Sequence, residues 1–266
     1  MGLFCQRSRI TALRYARHLD HNMLSNHDNL QTLIATKDWI GFDLDDTLHE
    51  YRVASQAALA RVFSALHSDY QIALPDLASS YRRILSQTTA GAFADGKTSS
   101  DYRRERFTAL MHSHGVALSE DDSVHLLALY KSSLAASLVL KPGALDLVQK
   151  LKTLGKKIIV VTEGPRDAQA WTLQQLGLSG YVDLLVTSNE LRRSKTDGLF
   201  GEILRIYGIP AARMMYIGDN YIRDVVPARE EGILAVHLDG SSGCLDSGDE
   251  TIRMCSLIEV SRLFDS

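Results

Sequence analysis

Apolar residues along this chain fall into two kinds of run. Trp39-Ile40-Gly41-Phe42 is short, continuous and apolar, and it ends in acidic residues. Comparable runs recur at 157–161, 184–187, 214–217 and 233–237. Uninterrupted apolar runs of this length predict strands buried on both faces, the pattern of a parallel sheet. Between them, apolar positions return every three or four residues over 143–154, 166–176, 199–207 and 223–231, which is helical spacing. Strand and helix therefore alternate, and the expected fold class is α/β, a parallel sheet covered on both faces. In such sheets ligands bind beyond the carboxyl ends of the strands.

The alternation breaks once. No strand pattern occurs between residues 52 and 140, where four amphipathic stretches lie near 54–67, 76–89, 100–113 and 120–138. Ser119 with Asp122 three residues later marks a helix start, as does Ser256 with Glu259. Between them, 241–248 is a Ser/Gly-rich loop. The expected organisation is an N-terminal extension over 1–38, a discontinuous core over 39–51 and 141–266, and a helical-bundle cap over 52–140. Arg7, Arg9, Arg14 and Arg17 precede the first acid, Asp20, so the extension reads as a surface helix near 8–19 or, alternatively, as a mitochondrial transit segment.

Composition narrows the class without naming a function. At 266 residues the chain is long enough for one large or two small domains, and it needs no staples to fold. Its 45% hydrophobic and 23% charged residues exclude a disordered or fibrous protein. With 29 basic against 32 acidic residues, nucleic acid is not the expected partner, and no apolar run is long enough to span a bilayer. Cys5, Cys244 and Cys255 lack C-x-x-C spacing, which argues for a reducing compartment. A cytoplasmic protein is expected.

Chemistry gathers at the strand ends. The first expected strand ends in Asp43-Leu44-Asp45-Asp46-Thr47, the second in Thr162, and the fourth in Gly218-Asp219 with Asp224 five residues on. Lys195 follows the third. In a parallel sheet these groups converge on one edge. Four carboxylates against one ammonium carry excess negative charge, and carboxylate oxygens without His or Cys favour a hard cation such as Mg²⁺. Mg²⁺ and Lys195 together would neutralise a phosphoryl group while Asp43 attacks it. Asp45 would move the proton of the leaving oxygen, and Thr162 would donate a hydrogen bond to a phosphoryl oxygen.

The segments FDLDDTL (42–48), VVT (160–162), RRSKTDGLF (192–200) and IGDNYIRD (217–224) resemble the four motifs of the haloacid dehalogenase superfamily, in their usual order. The resemblance spans residues 39 to about 238. It implies a Rossmann-like core and an aspartyl-phosphate intermediate. Matched position by position, it implies Asp43 as nucleophile, Asp45 as general acid/base, and Thr162 and Lys195 as phosphate stabilisers. It implies Mg²⁺ held by Asp43, Asp45 (through its carbonyl), Asp219 and Asp224, the last as ligand or support. A cap inserted after the first motif marks one large subgroup. The acid at Asp45 points to phosphate rather than halide chemistry. The expected activity is hydrolysis of a small phosphorylated metabolite of the nucleotide or sugar phosphate class, the alternatives being a phosphomutase and a non-catalytic relative.

Two residues depart from that pattern, and several features stand outside it. Glu163 follows Thr162 where an uncharged residue is usual, and it is expected to point toward the cap and meet substrate, or else to weaken phosphate binding. Thr196 replaces a proline common after the family lysine. Residues 91–98, GAFADGKT, match a P-loop pattern without a strand before them. They read as a cap loop, with Lys97 a candidate substrate contact and nucleotide binding a remote alternative. Arg52 is a second candidate contact. The basic run at 101–106 reads as a solvated helix face, with one arginine touching substrate as the alternative. His112 and His114 are not expected to bind metal, and Asp46 reads as a turn or cap group.

Overall fold

The computed structural model describes residues 27–88, 95–240 and 251–265. The expected helix at 8–19, Cys5, Cys244, the loop at 241–248 and the first four residues of 91–98 lie outside the described residues. Six parallel strands form one sheet: β1 (Trp39–Phe42), β2 (Lys157–Thr162), β3 (Leu184–Thr187), β4 (Met214–Gly218), β5 (Leu234–Leu238) and β6 (Ile252–Met254). Their order is β3-β2-β1-β4-β5-β6. The chain builds outward from β1 to one side and then returns to its other side at β4. That switch point opens a crevice at the carboxyl ends of β1 and β4. The five expected strands are all present. β6 carries no continuous apolar run and lies half-buried at the sheet edge, so the apolar pattern did not mark it.

Helices cover both faces of the sheet. Ile40, Phe42, Val160 and Ile217 pack on one face against α6 (Ala144–Thr153) and α11 (Leu257–Arg262). Ile159, Val161 and Tyr216 pack on the other against α9 (Leu199–Tyr207) and α10 (Val226–Glu230), and a one-turn helix, α8 (Ser188–Leu191), follows β3. The expected extension does not lie outside the core along its whole length. Helix α1 (His27–Ala35) buries Leu30 and Ile34 among the first group, because its one apolar stripe finds cover only there.

The insertion consists of α2 (Tyr51–Tyr70), α3 (Leu74–Thr88), α4 (Ser99–His112) and α5 (Glu120–Ser137). Each matches an expected helix. On α2 the residues Ala54, Ala58, Val62 and Leu66 recur every four positions, and small side chains at the first two let α5 lie close. Phe107, Tyr130 and Leu134 complete a separate apolar core. Full burial of a side chain such as Phe107 contributes about 1.5–3 kcal/mol. Both α4 and α5 start at reciprocal capping boxes, Thr98 with Asp101 and Ser119 with Asp122.

The insertion leaves and rejoins the core through paired linkers. The Glu50 amide donates to Val139 O at 3.0 Å, and the Lys141 amide donates to Leu48 O at 2.9 Å. It also rests on α7 (Arg166–Gln175), where the Ser99 amide and hydroxyl donate to the Asp167 carboxylate. Among the described residues no helix is long and apolar enough to cross a membrane.

Candidate active site

Parallel pairing brings the expected residues to one edge. Phe42 lies opposite Val160 on β2 and Ile217 on β4, and the Asp43 amide donates to Ile217 O at 2.9 Å. Asp43, Thr162 and Gly218-Asp219 therefore end three adjacent strands. The chain then turns tightly, with the Leu48 amide donating to Leu44 O at 3.0 Å. Asp46 takes a left-handed conformation (φ 62°), which aspartate tolerates better than most residues. Its carboxylate accepts from the Arg52 amide at the start of α2, matching the turn and cap role expected of it.

Lys195 lies at the centre of the site. It opens a one-turn 3-10 segment (Lys195–Asp197), and its side chain is 3% exposed. The ammonium donates to Asp43 Oδ1 at 2.5 Å and to Asp224 Oδ1 at 2.6 Å. Burial alone would lower this lysine. Asp43, the Tyr216 phenol and Asp224 together outweigh it and hold the ammonium well above the usual range. Burial also pushes the Asp43 carboxyl up to about 8, against the pull of Lys195 and aided by the negative charges of Asp224 and Asp45.

Asp224 is held from behind. It sits in a π-helical turn (Tyr221–Val225), and its other oxygen accepts from the Asn220 amide at 3.0 Å. A side chain at Gly218 would come within 2.4 Å of Asp224 Cβ, so only glycine lets the carboxylate reach Lys195. Tyr216 completes this wall. Its hydroxyl donates to Val161 O at 2.9 Å, and its ring passes over Gly41, where a Cβ would meet it at 2.7 Å.

Asp219 is the third carboxylate. Its amide donates to Thr47 Oγ1 at 3.0 Å, and its carbonyl accepts from His237 Nε2 at 3.0 Å. Burial, with Asp224 and Asp46 nearby, raises its carboxyl. Oxygens of Asp43, Asp219 and Asp224 lie within 4.8 Å of one another. His112 and His114 are not among these groups.

The remaining expected residues divide. Asp45 is not one of those three carboxylates and lines a cavity of about 810 Å³ between insertion and core. It accepts from, or donates to, His49 Nε2 at 3.0 Å. Thr162 is buried, with its hydroxyl 3.4 Å from Gln169 Oε1. Arg52 reaches the site, at 3.1 Å from Asp219 and 2.9 Å from Asp46.

Three expectations need correction. Glu163 borders the cavity, yet its carboxylate does not address the insertion: one oxygen accepts from the Lys195 amide at 2.9 Å and the other pairs with Arg223. The nearest strong donors lie on the loops after β3 and β4, and they win the carboxylate. Lys97 stands apart from the site, at the exposed start of α4, where Glu105 and Asp95 hold its ammonium. The run 101–106 is not a uniformly solvated face. Arg104 pairs with Glu120, but Arg103 and Arg106 turn into the cavity.

His49, Thr47 and Tyr216 were not singled out as functional residues from the sequence. His49 lies four residues after Asp45, a spacing that a tight turn brings together. Tyr216 gave no signal, because an aromatic residue in an apolar strand reads as core.

Comparison with known proteins accords with this geometry. A family model described as haloacid dehalogenase-like hydrolase matches residues 37–232. The chain is similar to a ribulose-1,5-bisphosphate 5-phosphatase of Halopiger xanaduensis, 28% identical over 78% of this chain and 88% of that protein. It is also similar to the pyrimidine 5'-nucleotidase YjjG of Escherichia coli, 27% identical over 76% and 86% of the two chains. Among solved structures it is similar to the magnesium-bound HAD-hydrolase YfnB of Bacillus subtilis, with a TM-score of 0.64 and 22% identity over 86% and 98% of the two chains. From its ordered motifs, sheet topology and family match, this chain belongs to the haloacid dehalogenase-like hydrolases.

Proposed function

We propose that this protein is a Mg²⁺-dependent phosphatase of small phosphorylated metabolites that acts through an aspartyl phosphate on Asp43. The observation that carries the reading is the buried Asp43–Lys195–Asp224 array, with Asp219 beside it and Asp43 close along the chain to Asp45, which lines the cavity between insertion and core. Its relatives support the substrate class, since the two compared above are named for phosphate esters of small molecules.

The donor set fits the cation. Three carboxylates supply oxygen alone, which suits a hard ion that shares its coordination with phosphate. Asp43, Asp219 and Asp224 would hold it, and any share of Asp45 falls to its main-chain carbonyl. When bound, Mg²⁺ supplies neutralisation of the phosphoryl oxygens.

The protein's own groups divide the remaining work. A carboxylate oxygen of Asp43 attacks phosphorus, and the ester oxygen leaves. Lys195 stabilises charge on the transferring group and holds Asp43 in line. Asp45, facing the leaving side, gives that oxygen a proton and later takes one from the water that opens the acyl phosphate. Glu163 does not oppose phosphate binding, because its charge is directed to the Lys195 amide and Arg223. It fixes the backbone that carries Lys195. The inserted helices act as a cap that excludes bulk water and macromolecules.

The test is release of inorganic phosphate from a metabolite panel, with Mg²⁺ or with chelator, for wild type and Asp43→Asn. Turnover is expected only with Mg²⁺, and Asp43→Asn is expected to lower kcat by roughly 10³-fold or more. No turnover of any phosphate ester, or full activity of Asp43→Asn, would refute the reading.

A further inference from the structure

The cavity between insertion and core, which Asp45 lines, has an asymmetric lining. Among the described residues, the inserted helices contribute five cationic side chains to it, Arg52, Arg82, Arg103, Arg106 and Lys131, and no carboxylate. The acids that border it, Asp45, Glu163 and Asp167, all come from the core side. Glu163 and Asp167 are already committed, to Lys195 and Arg223 and to Ser99.

Two of the five cations, Arg103 and Arg106, lie one turn apart on α4. Arg106 is 9% exposed, stacks near the Tyr102 ring and hydrogen-bonds the Tyr81 phenol. Arg103, one turn earlier on α4, places its guanidinium 4.7 Å from the Tyr130 ring centroid, and among the described residues no carboxylate forms an ion pair with it. Tyr51 connects this pair to the chemistry. Its buried phenol is pushed up by burial and by the neighbouring charge of Asp45, and drawn down by Arg103. Arg103 and Asp45 thus act on one phenol within one cavity.

Taking guanidinium groups out of water is unfavourable unless an anion or hydrogen-bond acceptors replace the water. Aromatic faces replace part of it, and planar guanidinium forks are suited to bidentate binding of phosphate or carboxylate. The phosphoryl group undergoing transfer is already met by Lys195. A nucleoside or a plain sugar leaving group would be uncharged and would leave Arg103 facing neutral atoms.

We propose that Arg103 and Arg106 bind a second anionic group, a phosphate or a carboxylate, carried by the leaving-group end of the substrate. This inference rests on the phosphatase reading and refines it. The substrate is a small two-headed anion, an organic bisphosphate or a phosphorylated carboxylic acid, lying with one head on Lys195 and the other under α4. The Tyr51 and Tyr130 phenols lie between the two ends, with Tyr130 OH 3.2 Å from Ser55 Oγ.

The experiment compares kcat/KM with Mg²⁺ for fructose 1,6-bisphosphate, phosphoglycolate, fructose 6-phosphate, UMP and p-nitrophenyl phosphate. The first two carry a second phosphate and a carboxylate, and the last reports phosphatase activity as such. At least one of the two-headed probes is expected to exceed both fructose 6-phosphate and UMP by about tenfold or more, and which one does so identifies the head group. For that probe Arg103→Gln is expected to raise KM by about 10–100-fold with a smaller change in kcat, the size of a lost charge-assisted hydrogen bond. Arg103→Lys is expected to recover part of the loss. If p-nitrophenyl phosphate or any other probe turns over and neither two-headed probe outperforms the neutral-ended ones, the inference is overturned. An equal factor for Arg103→Gln on every substrate overturns it as well. Arg103 is partly exposed, so its variants test the proposal even if Arg106→Gln does not fold. Calorimetric binding of fructose 1,6-bisphosphate and phosphoglycolate to Asp43→Asn, with and without Arg103→Gln, separates the two readings. Hydrolysis of no probe, together with binding that weakens at least tenfold on losing Arg103, would sink the phosphatase and keep the anion site. Binding indifferent to Arg103 would sink the anion site alone.

Discussion

His49 Nε2 lies 3.0 Å from Asp45 Oδ1, with the imidazole fully buried at the point where the inserted helices leave the core. The carboxyl that faces the cavity is thereby held in one orientation by a ring that cannot itself touch substrate. His49→Leu is expected to lower kcat by about 10–100-fold while KM changes less than threefold, because a misplaced proton-transfer group is penalised mainly in the transition state. His49→Gln, whose amide nitrogen can stand near Nε2, is expected to recover part of kcat. Equal loss in both variants, explained by unfolding in thermal melts, would reduce His49 to a packing residue.

Burial pushes the Asp43 carboxyl up to about 8, so without a cation it is expected to hold a proton over much of the range around pH 7. A cation on that carboxylate must displace the proton. Mg²⁺ binding is therefore expected to release up to one proton at pH 7, and its affinity to rise with pH up to about 8 and then level. The raised value also means that ionising Asp43 opposes folding, so this group's contribution to stability declines as pH rises from about 4 to 8 and Mg²⁺ restores it. Calorimetric titrations in two buffers of different ionisation heat measure the proton count. A count of zero would contradict the assignment.

Lys195 joins two buried carboxylates. Lys195→Met leaves both without their ammonium, and removal of one partner of such a buried pair costs about 3–5 kcal/mol. The variant is expected to be inactive and to unfold at lower denaturant. Added Mg²⁺ is expected to return part of the stability but not the activity. Denaturation with and without the ion makes the comparison, and unchanged stability without Mg²⁺ would show that the carboxylates take up protons instead.

Gly218→Ala places a methyl group where Asp224 now lies, 2.4 Å from its Cβ. The overpacking is expected to cost about 1–3 kcal/mol and to move Asp224 off Lys195. Phosphate release should fall more steeply than thermal stability. A fully active Gly218→Ala enzyme would show that Asp224 can retreat without loss.

Much of this arrangement was legible before any coordinates. Continuous apolar runs mark β1 to β5, because a strand buried on both faces leaves few polar positions. Once those strands are parallel, Asp43, Thr162, Lys195 and Asp219 must share an edge. β6 escaped because an edge strand of three half-buried residues needs no such run. The core role of α1 escaped because its stripe is brief and the acid-poor start before it suggested a leader.

The order of motifs along the chain therefore determined the fold class, the sheet edge and the carboxylates that gather there, since period and spacing are local properties. What each side chain does once it arrives was decided by the tertiary structure. Glu163 turns to the Lys195 amide, His49 swings onto Asp45, and Arg103 and Arg106 face inward rather than to water. Each of these choices depends on which partner from a distant segment comes within hydrogen-bonding reach, and only packing sets that.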